Sequence, residues 1–225
     1  MLIELQEAWV LHSRPYRDTS LIVDLFTRDH GRLSVVARGA RATKSGKPQK
    51  NNMRSRLNPF IPLLISCQGK GELLTLTSVE ARGLGHYFSG AVLFSAMYVN
   101  EVLMRLMPAM DAHPALFIDY QQVLAELGSL DSAESDPDID GQALLECLLR
   151  AFEFKLLDAL GYGVHFDQDA DSGAMVSADS HYDFYTDRGF VLTTEAGIPG
   201  DILLQLADNN FLSPQARRLA KHISR

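Results

Sequence analysis

The first eighty residues alternate short apolar runs with turn residues. Ala8 to Ser13 (AWVLHS) and Ser20 to Phe26 (SLIVDLF) are apolar and β-favouring, and Arg14-Pro15-Tyr16-Arg17-Asp18 supplies turn chemistry between them. Asp29-His30-Gly31 makes a second turn before Arg32 to Ala37. Further on, Phe60 to Cys67 and Glu72 to Val79 flank Gly69-Lys70-Gly71, a hairpin loop with glycines available for positive φ. Five short strands joined by turns and one long loop predict a small closed barrel, because closure removes edges that such apolar strands would otherwise offer to other chains. The texture then changes. Phe88 to Met107 is apolar nearly all round and predicts a helix buried by its neighbours. Pro114 to Leu127 carries Leu116, Phe117, Tyr120, Val123, Leu124 and Leu127 at helical spacing, with Gly128 as the expected stop. An acidic linker (129–140) precedes a second strongly apolar helix, Gly141 to Leu160, closed by Gly161. A hairpin is expected at 181–185 and 190–193, and helices at 198–211 and 213–224, the last opened by Ser213-Pro214. The expected organisation is α+β: a barrel over 1–82, then a mainly helical region over 83–225 with a small hairpin near 181–193.

Composition narrows the class. A hydrophobic fraction of 46% excludes wholesale disorder. The two cysteines, Cys67 and Cys147, cannot build a disulfide framework or a four-thiolate zinc site. The N-terminus lacks the pattern of a signal peptide, and the most apolar window holds Asn100, Glu101 and Arg105, so no membrane span is expected. The chain reads as soluble and cytoplasmic.

Charge changes the picture more. The net charge of −7 argues, as an average, against nucleic acid. Yet residues 1–82 hold 13 Lys and Arg against 7 Asp and Glu, while the rest of the chain holds 8 against 21. The segment from Arg38 to Arg56 carries Arg38, Arg41, Lys44, Lys47, Lys50, Arg54 and Arg56 and no acid. Like charges oppose a compact state, so such a run is costly to leave without a polyanion, although a solvated loop is the plain alternative. Arg14, Arg17, Lys70 and Arg82 extend the basic field. Trp9, Tyr16 and Phe60 are candidates to stack on unpaired bases, and each is also a candidate core residue.

No catalytic or cofactor signature emerges. The seven histidines are scattered, and a phosphate-loop motif fails in either register: starting at Gly39 it needs glycine where Lys44 stands, and with Gly46-Lys47 it needs Ser or Thr where Pro48 stands. Asp167, Asp169 and Asp171 are spaced like a calcium loop, but Ser172 and Ala178 occupy its glycine and glutamate positions. A nuclease using these three carboxylates is the remote enzymatic alternative. No cofactor is expected.

Several blocks carry a resemblance. Val10 to Leu21 (VLHSRPYRDTSL), Gly31 to Arg41 (GRLSVVARGAR), Leu57 to Leu63 (LNPFIPL), Gly69 to Leu76 (GKGELLTL), Tyr98 to Leu103 (YVNEVL) and Phe152 to Gly163 (FEFKLLDALGYG) follow in order. With them the chain resembles the RecO recombination mediators of bacterial DNA repair. The resemblance implies an N-terminal OB-fold followed by a helical domain. It also implies a non-enzymatic function in the DNA-damage response: binding single- and double-stranded DNA, annealing complementary strands, and helping RecR load RecA onto DNA covered by single-strand binding protein (SSB). Two departures qualify it. Many relatives carry four zinc-binding cysteines after the Gly-Tyr-Gly block, whereas residues 164–182 hold none, which points to the zinc-free branch and to no metal. The family also tends to continue with a glycine- and lysine-rich segment after its last helix, and this sequence ends at Arg225.

The resemblance further implies a site for the acidic, apolar-ended SSB tail, which needs a cation beside a hydrophobic pocket. Arg150 and Lys155 are the expected anchoring pair, with ion pairs to Glu146, Glu153 or Asp158 within helical reach as the alternative use of the same side chains. The rival from another class is a protein–protein adaptor whose basic loop binds no nucleic acid.

Overall fold

A computed structural model describes residues 1–40, 53–133 and 140–224, with the backbone alone at Arg54 and Ala133. Two compact units result, Met1–Ser132 and Ala133–Arg225. The change from strand to helix near residue 82 falls inside the first of them.

Strands β1 (Leu2–Tyr16), β2 (Ser20–Thr27), β3 (Gly31–Ala37), β4 (Leu63–Gln68) and β5 (Leu73–Ala81) close into a barrel of order β1-β2-β3-β5-β4. Neighbours are antiparallel except β3 and β5, which run parallel with Ser34 beside Leu73 and Val36 beside Thr75. This is the closed barrel expected from the strand count and the OB-fold that the resemblance implied. Alternation explains it: Leu33, Val35 and Ala37 point inward from β3, and Val23, Leu25, Ile65, Cys67, Leu74 and Leu76 meet them in one core. A short helix, α1 (Met53–Arg56), adds Met53 to the edge of that core.

β1 runs far longer than the six residues its apolar run predicts. Its first half pairs with β4 and its second with β2, and its register shifts between Ile3 and Gln6 and again between Val10 and His12. Such bulges bend a strand and break period two, which hides its length in the sequence.

Helices α2 (Gly90–Leu106) and α3 (Pro114–Ala133) complete the first unit. Trp9 and Phe26, on the outer face of β1 and β2, meet Phe117 and Tyr120 of α3 edge to face, with centroids 5.3–5.8 Å apart. The segment after α2 adds to the start of β3: the Met110 amide donates to the Arg32 carbonyl, and Arg32 Nε donates to the Met107 carbonyl at 3.0 Å. Gly31 makes room for it. It sits at φ +61°, and a Cβ there would stand 1.7 Å from the Asp111 carbonyl oxygen.

Two expectations change. α2 is not buried all round: Val92, Ala96, Val99, Asn100 and Leu103 face inward, whereas Phe94, Met97 and Leu106 lie exposed. Gly128 does not stop α3, which runs on to Ala133. That glycine serves close packing instead, since a Cβ would lie 3.3 Å from His86 Nδ1.

In the second unit α4 (Gly141–Ala159) is capped by Asp140, whose carboxylate accepts the Ala143 amide. β6 (His181–Tyr185) pairs with β7 (Gly189–Thr193) and with a two-residue strand, β8 (Ile198–Pro199). α5 (Gly200–Ala207) and α6 (Pro214–Ile223) follow, the latter capped by Ser213 as predicted. Phe166, Tyr182, Phe190, Leu203, Leu206 and Phe211 form the core.

One polar cluster inside the first unit is fully satisfied. Asn100 Nδ2 donates to the Val10 and Leu11 carbonyls at 3.3 and 3.2 Å, and the Tyr120 hydroxyl donates to Asn100 Oδ1 at 2.7 Å. Burial pushes the Tyr120 phenol well above its usual value, so it stays a donor. Tyr120→Phe is expected to leave Asn100 Oδ1 buried without its donor and to lower stability by about 1–3 kcal/mol. Urea unfolding checks this, and Asn100→Ala in the Tyr120→Phe background is expected to cost less than in the wild type.

Candidate nucleic-acid interface

Three exposed cations of the barrel, Arg14, Arg17 and Arg38, stand where the β1–β2 turn meets the exit of β3. Tyr16 pairs with Ser20, and Leu21 pairs with Ala37, the residue before Arg38. At one strand spacing per step this sets Arg17 and Arg38 roughly 10 Å apart at the backbone. Arg17 lies at φ +52° in the turn, its guanidinium 5.1 Å from the Tyr16 ring centroid. Arg38 is exposed and has no ion-pair partner among the described residues.

Arg14 is held more firmly. Asp24, only 1% exposed on the outer face of β2, accepts Arg14 Nη1 at 3.1 Å and the Ser34 hydroxyl at 2.6 Å, and His12 Nδ1 lies 3.7 Å away. One carboxylate thus ties β1, β2 and β3 together and fixes the guanidinium. The Arg14 side chain is still half exposed, and its remaining N–H groups are open to a phosphate.

The other predicted cations divide. Lys70 is exposed in the β4–β5 loop, which enters β5 beside the middle of β3, so it stands apart from Arg38. Arg56 donates to the Val79 carbonyl at 2.9 Å and pins α1 to β5. Arg82 pairs with Glu7, which also has Arg28 at 3.7 Å. Arg41, Lys44, Lys47 and Lys50 lie outside the described residues, as does the side chain of Arg54.

Among the stacking candidates, Trp9 and Phe60 are core residues, 4% and 5% exposed. Trp9 stacks on His86, and Phe60 meets Phe88 edge to face. Tyr16 alone of the three stays at the surface margin. Two aromatics of α2 that do reach solvent, Phe94 and Tyr98, were hidden in a helix that reads as apolar on every side.

The anchoring pair in the second unit does not form as expected. Arg150 is buried and committed to Glu153 and to the Ser224 hydroxyl at 2.9 Å, the helical ion pair that the i, i+3 spacing had offered as the alternative. Burying a guanidinium is tolerable only with such partners. Lys155 is exposed and lines a different feature, a cavity of about 330 Å³ with Phe154, Phe166, Leu206 and Phe211. Asp158, His165 and Asp167 line it as well.

The three spaced carboxylates do not converge either. Asp169 is turned inward, its Oδ1 accepting both the amide and the hydroxyl of Ser172 at 2.6 Å and its Oδ2 accepting the Leu192 amide at 2.6 Å. Asp171 pairs with Arg188 at 3.3 Å. Among the described residues no cluster of three or more His, Cys, Asp or Glu is placed to hold a metal ion. Nor, among them, is any helix long and apolar enough to cross a membrane. Cys67 lies in the barrel core, where burial raises its thiol away from nucleophilic use.

Comparison with known proteins agrees with the barrel and its sequence blocks. The family model for the N-terminal part of recombination protein O matches residues 1–84, and that for its C-terminal part matches residues 88–201. A DNA repair protein RecO from Marinobacter nauticus is 39% identical over 228 residues, covering 99% of this chain and 87% of its own. One from Aliivibrio fischeri is 37% identical over 225 residues (98% and 87%), and one from Methylococcus capsulatus 39% over 223 residues (98% and 85%).

Asp169 generates a pH prediction. The Ser172 hydroxyl and the amides around it hold this carboxyl below its usual range. A depressed folded-state value means stabilisation that is present above the unfolded value, about 3.9, and lost as pH falls through the folded one. Asp169→Asn is therefore expected to speed amide exchange at Leu192 and along β6–β7 at neutral pH. The gap from wild type should close as pH falls below about 4, and hydrogen exchange followed by mass spectrometry reads both effects.

Proposed function

The chain belongs to the RecO family of DNA repair proteins, and from that premise we propose that it binds DNA and anneals complementary strands without turnover, acting with RecR to load RecA onto SSB-coated single strands. The observation that carries the DNA-binding part is the cationic end of the barrel. There Arg14, Arg17 and Arg38 stand exposed around the β1–β2 turn, and in the sequence the basic run from Arg41 to Arg54 follows directly after Ala40. OB-folds use the loop between their first and second strands to hold oligonucleotides. The RecR and RecA roles rest on family membership.

Phosphate neutralisation by such a surface releases counterions, so binding is salt-sensitive and indifferent to sequence. Arg56 and Arg82 contribute less, since their guanidinium groups already serve the barrel. For the SSB tail we favour Lys155 over Arg150. Lys155 offers an exposed cation beside the Phe154, Phe166 and Phe211 cavity, and Asp158 and Asp167 at the same cavity make that docking weak.

Replacing Arg17 and Arg38 together by Ala is expected to weaken single-strand binding and flatten the log–log salt slope by roughly 1.4, about 0.7 for each phosphate no longer neutralised. Replacing Lys44, Lys47 and Lys50 by Ala should flatten it further, whereas Arg56→Ala should lower stability and leave the slope alone. Fluorescence anisotropy across salt measures this. Wild-type protein that ignores oligonucleotides in dilute buffer would overturn the proposal in favour of an adaptor.

In annealing of SSB-coated strands, Lys155→Glu is expected to slow the reaction with intact SSB and to change nothing with SSB lacking its C-terminal tail. An equal effect on both would remove the docking role of Lys155.

A further inference from the structure

Phosphate contacts alone do not distinguish a single strand from a duplex, since both present the same charge groups. A second feature of the first unit does. Between α2 and the bulged part of β1 lies a groove of about 760 Å³, lined by Leu11, His12, Pro59, Phe94, Met97 and Tyr98 among others. Phe94 is 73% exposed and Met97 54%, a large apolar area to leave in water.

Charge and position decide what the groove accepts. Glu101 and Arg105, which also line it, form an i, i+4 ion pair and cancel one another. The groove itself therefore offers no net attraction to a phosphate. Its rim differs: His12 and Arg14 flank the same Asp24 carboxylate, at 3.7 and 3.1 Å. His12 lines the groove and Arg14 follows two residues on, on the same face of β1. Arg14 is itself paired with Asp24, but its half-exposed guanidinium keeps further N–H groups to offer beside an aromatic-lined groove without net charge. A neutral flat ring beside a phosphate-binding cation is the chemistry of one unpaired nucleotide.

We propose that this groove receives an unpaired base of single-stranded DNA, stacked on Phe94 with Met97 and Tyr98 alongside, while Arg14 takes the adjoining phosphate. The inference rests on the DNA-binding reading above and adds to it a contact that only a single strand can make. A paired base cannot enter, because its edge is held by its complement and its faces by its neighbours.

The test uses the full chain, oligodeoxythymidylate, and an abasic strand of equal length that keeps the phosphates and lacks the bases. Phe94→Ala is expected to weaken oligodeoxythymidylate binding about ten-fold, roughly the loss of one stacked base. It should leave abasic-strand affinity and the salt slope unchanged, and Phe94→Trp should restore binding. Equal weakening for both strands would mean a loss of structure and overturn the proposal. Unchanged oligodeoxythymidylate binding would also overturn it and leave the groove to a protein segment. Failure of the wild type to bind either strand would overturn this inference together with the function it rests on, whereas failure confined to Phe94→Ala touches the groove alone.

Discussion

A bulge at Leu11 interrupts the register of β1, and the rest of the first unit is arranged around the side chain that meets the carbonyl groups there. Asn100 spends its amide on the Val10 and Leu11 carbonyls and receives the Tyr120 hydroxyl in return. An unmet carbonyl at that depth is expensive, so α2 and α3 are held in one orientation on the barrel. That orientation has a consequence for binding. The outer face of β1 and β2 at Trp9 and Phe26 is filled by α3, which removes part of the strand surface that OB-folds commonly use. What remains open is the loop end, where Arg14, Arg17 and Arg38 stand. The same bulge forms one wall of the groove beside Phe94.

Much of this was legible in the sequence. β2, β3, β4 and β5 were readable because each alternates or runs apolar between turn residues, and the helix ends at Gly161 and Ser213 because caps are local chemistry. Other features were not, for physical reasons. Bulges put Leu2 to Glu7 out of period, so half of β1 was invisible. β8 is two residues long and exists only by pairing with β6. In an apolar helix such as α2, periodicity cannot say which apolar side chains will be left outside, and Phe94 was lost that way. Asp169 read as one of three equivalent carboxylates, because only the fold brings the Leu192 amide to it.

Electrostatics shows the same division between local and tertiary information. The asymmetry of charge along the chain was plain and led to the barrel as the polyanion-facing part. How each cation is spent was not plain. Arg56, Arg82 and Arg150 all went to internal partners, while Arg38 remained exposed. For Arg150 the competitor, Glu153, stood one turn away in the sequence, and burial decided between them. An acidic protein can present a cationic end because residues 1–82 hold 13 of its 21 Lys and Arg but only 7 of its 28 Asp and Glu.

The central claim is that DNA meets the loop end of the barrel and the adjoining groove. Ultraviolet crosslinking of a single-stranded oligonucleotide to the intact protein, with the attached peptides identified by mass spectrometry, tests it most directly. The account predicts crosslinks in peptides spanning Arg14 to Ser20, Arg38 to Arg56 and Phe94 to Tyr98. Crosslinks confined to residues 140–224 would contradict it.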